Sequence, residues 1–395
     1  MPAHADGGVG RRIAYYRSVV RPKMTQQQLS DTACVALGTI RKIERGERGV
    51  SDATLEAIAE ALGVDVARLR SDRGPANTQV RDALPALSAA IATYDLPDDA
   101  PVRPLHELRT AVTEAARWRL GAQYTRIVRK LPNLLTELAR AHHAASPDER
   151  TESAGLLVSA YRSADAVAYK FGAQDLSARL VELMRWAVLD TDDPLLSASV
   201  AYVRTETFFA ARAHAAGLRA LEQAVDAGPA PTTAPAIAAR GALHMRAAVI
   251  AGRAGDGSAA ATHLDEARSL ADRVPEGVYN GTAFGPDSVR IHAVSVAVSL
   301  GDKHMGRALD VAGEWKPSRE LPAERRSGFY IELARTQLWS GLPDDAFESL
   351  KAARRIAPQH TREHPWVRED AATLRRLKRA DSEALTHFAE WCAAT

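Results

Sequence analysis

Over about the first 70 residues, apolar positions recur every three or four, the spacing of a helix face and not the alternation of a strand. Ile13, Tyr16 and Val20 mark a helix over 11–20, and Pro22 ends it. Leu29 and Ala33 give a second helix one apolar stripe. Thr25 caps it, its hydroxyl placed to accept from the backbone N–H groups of the first turn. After a break at Cys34-Val35-Ala36, Ile40 and Ile43 rebuild an apolar face with Arg41 and Lys42 off it, and Gly46 ends that helix. Ser51 or Asp52 caps a fourth helix over 53–62 with the stripe Leu55, Ile58, Ala59 and Leu62, which Gly63 closes. Asp65 caps a short fifth helix through Leu69. Residues 1–72 are therefore expected to form a domain of five small helices.

Residues 73–104 read as a linker with one helix. Gly74, Pro75 and Asn77 open it, a helix spans 79–94, and Leu96-Pro97 through Pro101 with Pro104 break the chain again. From 105 to Cys392 the pattern is helical almost without interruption, with 227–235 the longest loop, and no strand pattern is visible. Glycines placed to end the first helix of a pair stand at Gly121, Gly172, Gly217, Gly255, Gly301 and Gly341. Tyr330, Leu333, Ala334, Gly341, Ala346, Leu350, Ala353 and Pro358 fall at the spacing of a tetratricopeptide repeat. A shift of 86 residues lays His244, Ala247, Ala248, Gly255, Ala260, Leu264 and Ala267 on the same positions. Residues 105–395 thus resemble a tetratricopeptide array, and the expected fold class is all-α: a five-helix N-terminal domain followed by an α-solenoid of helix pairs. A lone pair cannot bury both its faces, so stacking stabilises each one and leaves a concave groove lined by first helices. In the two clear units that groove would carry Met245 and Val249, then Ile331, Arg335 and Leu338, an apolar floor with one cation suited to a carboxylate or another acidic ligand.

Two short helices of the size of 25–33 and 37–45, set at a steep angle, form a helix-turn-helix, whose second helix enters the major groove of DNA. Thr25-Gln26 with Leu29, followed by Thr39-Ile40, Ile43-Glu44 and Gly46, resembles the Cro and phage-repressor family, also called the xenobiotic-response-element family, over about the first 70 of 395 residues. That family usually has Gly where Cys34 stands and a capping Ser or Thr where Ala36 stands, and is about two residues shorter between Ile13 and Met24. The resemblance implies that Leu37, Gly38, Thr39, Arg41 and Lys42 face the major groove, that Gln26 holds a phosphate, and that Arg45 and Arg48 reach the backbone. Lys42 or Arg41 on a guanine edge is the expected sequence reader. Each such unit reads only about four to five base pairs, so a homodimer on a palindromic operator is expected.

Charge sharpens this picture. The whole chain carries +2, which says little. Residues 9–48, however, hold nine Lys/Arg against Asp31, Glu44 and Glu47, and from 73 onward 40 of each sign remain. A basic face confined to the helix-turn-helix is the footprint expected for phosphate contact. Apolar content of 46% with only 6% aromatics suits packed helices. No apolar run is long enough for a membrane span and no signal core precedes residue 13, so a cytoplasmic protein is expected. The two cysteines, Cys34 and Cys392, are far apart, which argues against a disulfide framework. Cys34 is expected as a small buried side chain, not a redox sensor.

Catalytic and cofactor signatures are weak. His360-Thr361-Arg362-Glu363-His364 spells a zinc-protease motif, but Pro358 and Pro365 bracket it too closely for the continuous helix two facing histidines need. Gly7-Gly8-Val9-Gly10 lacks the strand and third spaced glycine of a phosphate loop. Asn280-Gly281-Thr282 matches a glycosylation acceptor by spelling only. The expectation is a non-enzymatic transcriptional regulator without metal or cofactor, its helical array controlled by a peptide, small molecule or protein. The alternative is a protein-interaction adaptor that uses the repeat groove.

Overall fold

The computed structural model of the chain describes residues 7–19, 24–64, 66, 69, 75–301, 304–377 and 383–394. The expectations resting on Val20, Pro22, Asp65, Arg73 and Gly74 fall outside them. Contacts divide the chain into two compact units, Met1–Pro75 with Ala371–Thr395, and Ala76–Asp370.

The first unit contains α1 (Gly7–Val19), α2 (Gln26–Thr32), α3 (Leu37–Glu44) and α4 (Asp52–Ala61). The periodic residues do what their spacing predicts: Ile13, Leu29, Ile40, Ile43, Leu55, Ile58, Leu62 and Leu69 form one buried core. Thr25 caps α2 reciprocally with Gln28. The Thr25 hydroxyl accepts from the Gln28 N–H at 3.1 Å, and the Gln28 amide oxygen accepts from the Thr25 N–H at 2.8 Å. Ser51 caps α4 by accepting from Thr54 N–H at 3.3 Å. Gly10 has a packing role: a Cβ there would stand 1.8 Å from the Ile43 carbonyl oxygen, so only glycine lets α1 come this close to the end of α3. Residues of the C-terminal stretch, with a helix at Glu383–Trp391, belong to this unit as well.

The second unit opens with α5 (Pro75–Ala92), whose Val80, Leu87, Ala90 and Ile91 are buried in the same core as the helices that follow. The expected linker helix is therefore a packed element of this unit. Helix pairs succeed it: α6 (Leu105–Leu120) with α7 (Tyr124–His143), α8 (Pro147–Lys170) with α9 (Gln174–Ala187), α10 (Pro194–Ala210) with α11 (His214–Ala227), and α12 (Ala234–Arg253) with α13 (Gly257–Ala271). A hairpin of β1 (Gly277–Tyr279) and β2 (Thr282–Phe284) intervenes before α14 (Pro286–Leu300) with α15 (Met305–Glu314) and α16 (Ala323–Trp339) with α17 (Pro343–Ile356). Two further helices follow, α18 (Pro358–Glu363) and α19 (Pro365–Leu377), the second of which belongs to this unit as far as Asp370. Among the described residues the fold is all-α apart from that hairpin.

Pairs α12/α13 and α16/α17 bury the same offsets: Ala248, Ala260 and Ala267 in one, Ala334, Ala346 and Ala353 in the other, each 0% exposed. Small side chains there let the two helices of a pair approach closely. Gly172, Gly255, Gly301 and Gly341 stand at helix ends in the left-handed region, as the spacing predicts. Gly217 does not. The break falls at Ala211–Ala213, with Arg212 at φ +53, and Gly217 lies inside α11, where a Cβ would meet Ile250 Cδ1 at 2.3 Å. It is a close-approach residue between α11 and α12, not a helix end.

The hairpin corrects the expectation of no strands. Its register pairs Gly277 with Phe284 and Tyr279 with Thr282. Asn280 and Gly281 both take positive φ, +46 and +73, as the two-residue turn that matches strand twist requires. Three residues per strand carry too little alternation to stand out against helices on either side.

Candidate nucleic-acid interface and ligand cavity

In the first unit, α2 and α3 are joined by a short turn in which the Ser30 hydroxyl donates to Val35 O at 2.7 Å. Cys34 sits at φ +52, a conformation that costs a side-chain-bearing residue about 1–2 kcal/mol relative to its right-handed counterpart. Its thiol is exposed, which corrects the expected burial. Ala36 begins α3 without a side-chain cap. Glu44, half-buried, ties three elements together. Arg17 donates to it from Nε and Nη2 at 2.8 and 2.9 Å, and Gln26 donates from Nε2 at 2.7 Å. With Ile40 and Ile43 turned inward, α3 presents Gly38, Arg41 and Lys42 outward, all exposed, with Leu37 and Thr39 at the edges. Arg45 and Arg48 are exposed beyond its end, and Arg45 pairs with Glu47 at 2.8 Å. This surface can place two cations, unpaired among the described residues, and a glycine against a groove floor, with further cations at the rim.

The second unit contains a partly open cavity of about 240 Å³. Its helical walls come from α6, α8, α10, α12, α14 and α16, the first helix of each pair, together with the hairpin and residues of α18 and α19. Five of these helices each contribute one stripe at helical spacing: Arg162, Asp165 and Tyr169; Tyr202, Glu206 and Phe209; Arg246, Val249 and Arg253; His292, Ser295 and Ser299; Arg325, Gly328 and Glu332.

The lining is charged. Lys170 pairs with Glu324 at 2.9 Å and Arg246 with Glu206 at 3.3 Å. Arg162 donates to Ser199 Oγ at 2.6 Å, to Asn280 O at 2.8 Å and to Thr282 Oγ1 at 2.7 Å, and Arg119 to Gly281 O at 2.9 Å, so both guanidiniums hold the hairpin turn. Arg325 donates to the Tyr202 hydroxyl. Arg246 lies over the rings of Tyr202 and Phe209 at 4.6 and 5.3 Å, and Arg253 over Phe209 at 4.2 Å. Burial drives the Arg162 guanidinium down to about 9, with Arg119 adding to the effect. Burial, then the neighbouring Glu206, pushes the Asp165 carboxyl well above its usual range. Burial likewise lifts Glu332 to about 7 against the hydrogen bond from Ser295. Burial would raise Glu324 too, but Lys170, His360 and Arg325 hold it far below the ordinary carboxylate value. Burial alone would raise the Tyr202 hydroxyl, yet Arg246 and Arg325 bring it down to about 8.

Residues 21–69 match a family model described as helix-turn-helix. That stretch is a helix-turn-helix domain. No curated protein matches the chain. Among solved structures, PlcR of Bacillus thuringiensis in complex with the peptide PapR7 and DNA is 13% identical, with 68% of this chain and 95% of that one covered, at a TM-score of 0.26. The apo form of ComR from S. thermophilus is 12% identical, covering 95% and 100%, at a TM-score of 0.29. Scores this low do not define a shared fold.

Within the helix-turn-helix domain, Leu37, Gly38, Thr39, Arg41, Lys42, Arg45 and Arg48 lie on or beside one exposed face. Gln26 is half-buried, its amide nitrogen engaged by Glu44. The expected groove residues of the second unit are placed differently. Val249 lines the cavity, but Met245 and Ile331 are fully buried between helices and Leu338 is 8% exposed. Arg335 points to Trp339 and Trp366, pairing with Glu369 at 2.9 Å. The apolar side chains of a first helix turn toward its neighbours, so the stripe facing the cavity starts one residue on from Met245, at Arg246. Arg162, Arg246, Arg253 and Arg325 were missed because a charged stripe reads in sequence as a solvated face. His360 and His364 do lie together, rings 5.7 Å apart, but α18 ends at Glu363. No group of metal-ligating residues occurs among the described residues, and no described helix is long and apolar enough to cross a membrane.

Proposed function

We propose that the protein is a sequence-specific transcriptional regulator that reads duplex DNA through α3 and is controlled by a ligand, peptide or partner protein held by the helical array. The observation that carries the reading is the outward face of α3, where Arg41 and Lys42 stand exposed beside Gly38 on a helix fixed from behind by Ile40, Ile43 and the Arg17–Glu44–Gln26 cluster. Lys42 or Arg41 reads a guanine edge, Leu37 and Thr39 contact neighbouring bases, and Arg45 and Arg48 hold phosphates. Gln26 braces α2 against α3 through one amide N–H on Glu44 and holds a phosphate with the other. The array is of tetratricopeptide type, and two copies of the chain bind a palindrome. Full-length protein titrated with its own upstream DNA at several salt concentrations tests this. Affinity falling steeply with salt for wild type, and at least tenfold weaker binding by the Arg41→Ala/Lys42→Ala double variant, supports the reading. No retarded complex at low salt would leave the adaptor reading in its place.

A further inference from the structure

The cavity in the second unit holds more positive charge than its own carboxylates neutralise. Lys170 and Arg246 have carboxylate partners in Glu324 and Glu206. Arg119, Arg162, Arg253 and Arg325 make no ion pair with any described carboxylate. Arg253 makes no hydrogen bond to a described residue either, only the stacking on Phe209. Arg119 and Arg162 are 8% and 9% exposed, and Arg119 Nε and Arg246 Nε are buried without a hydrogen-bond partner. Buried, uncompensated charge is strongly unfavourable, and six cations aimed into one small space repel each other as well. Such an arrangement is retained where something else supplies the counter-charge.

Size and layout narrow the occupant. Arg325, Arg246 and Arg253 flank one face of α10 along Tyr202 and Phe209, seven residues or roughly 10 Å of helix rise apart. Arg119 and Arg162 close the wall beside the hairpin turn, each with a nitrogen about 3 Å from where a Gly281 Cβ would stand. A monovalent anion leaves most of these groups unmatched. At about 240 Å³ the cavity lies below the roughly 300–1,000 Å³ of drug-sized sites, which favours a small occupant. Guanidiniums suit phosphate and carboxylate alike because both accept two parallel N–H bonds. From these features we infer that the cavity binds a small organic polyanion, carrying two or more phosphate or carboxylate groups, with Arg119, Arg246, Arg253 and Arg325 as its principal contacts. On the regulator reading, that anion is the effector; the binding itself does not depend on that reading.

Titration calorimetry and thermal melts on the full-length chain at low ionic strength test it, with pyrophosphate and citrate as probes and spermine as the cationic control. One or both anions should bind and raise the melting temperature, spermine should not, and Arg253→Gln should weaken binding at least tenfold. Arg219→Gln, on the exposed side of α11, should leave it unchanged. Pyrophosphate alone binding identifies a phosphorylated ligand, and citrate alone a polycarboxylate. Ser299→Glu, which adds a carboxylate to the cavity wall, should also weaken binding, so a folding defect in Arg253→Gln does not blunt the test. Absence of binding by both anions, as a peptide-specific site would give, overturns the inference. So does binding that survives both cavity variants or is lost in Arg48→Ala, which places the anion on the DNA face. Selection of DNA sites by the same protein reports on the regulator reading independently.

Discussion

The Phe284 ring occupies the space in which a side chain on Gly241 would stand: a Cβ there meets the ring Cζ at 2.0 Å. This contact seats the hairpin on α12 and with it the Asn280-Gly281 turn that Arg119 and Arg162 hold. Gly241→Ala forces the ring aside and is expected to destabilise the second unit by about 1–3 kcal/mol. Urea unfolding of the full chain, followed by the loss of helix signal, reads this directly; an unchanged midpoint contradicts it.

The turn of the helix-turn-helix domain departs twice from the family it resembles, and both departures are correctable. Cys34→Gly relieves the left-handed strain at φ +52 and is expected to gain about 0.5–1 kcal/mol after glycine's own entropy cost. Ala36→Ser supplies the side-chain cap that α3 lacks and is expected to add about 1 kcal/mol. Each raises the melting temperature of the first unit, with the double variant near the sum.

Gly10→Ala acts in the opposite direction. Its Cβ would overlap the Ile43 carbonyl oxygen, a backbone atom that cannot rotate away. The expected loss of about 2 kcal/mol or more separates α1 from α3, so DNA affinity falls together with the melting temperature of this unit.

Acid stability depends on opposed buried groups. Burial pulls His292 and His360 down to about 3, so below about pH 6.5 the unfolded chain binds protons that the folded one refuses. Their contribution is full above pH 6.5 and is lost as pH falls towards 3, about 2 kcal/mol for each histidine between pH 7 and pH 5. Glu332 and Asp370, raised by burial to about 7, do the reverse: they favour folding below pH 4.5 and lose that contribution as pH rises through 7. Glu332→Gln therefore stabilises at pH 8, by about 1–3 kcal/mol, with little difference from wild type near pH 4, and steepens the fall below pH 7. Equal gains at both pH values would show that Glu332 is not protonated on folding.

Much of the molecule is legible in its sequence for a simple reason. Leu29, Ile40, Ile43, Leu55 and Ile58 are buried because each sits at helical spacing, and spacing is what a sequence displays. The same holds for Ala346, Ala353, Ala260 and Ala267 at the helix-pair contacts. Asn280-Gly281 has the composition of a hairpin turn, but it stood out only as part of a glycosylation spelling, and the strands beside it were too short to register. The cavity was hidden for a different reason. Arg162, Arg246 and Arg325 stand on separate helices, and only the stacking of first helices brings them together. Gly10, Gly217 and Gly241 carry no local sign of the atoms packed against them, since those atoms belong to Ile43, Ile250 and Phe284.

Selection of binding sites from a random DNA pool by the full-length chain, repeated with Lys42→Ala and Arg48→Ala, is the most direct test of the central claim. Wild type should enrich a palindrome with half-sites about one helical turn apart. Lys42→Ala should lose about 1–3 kcal/mol at one position of each half-site, whereas Arg48→Ala should weaken all sequences alike. A pool that does not enrich, or a Lys42→Ala variant that loses as much on random DNA as on the selected site, would contradict it.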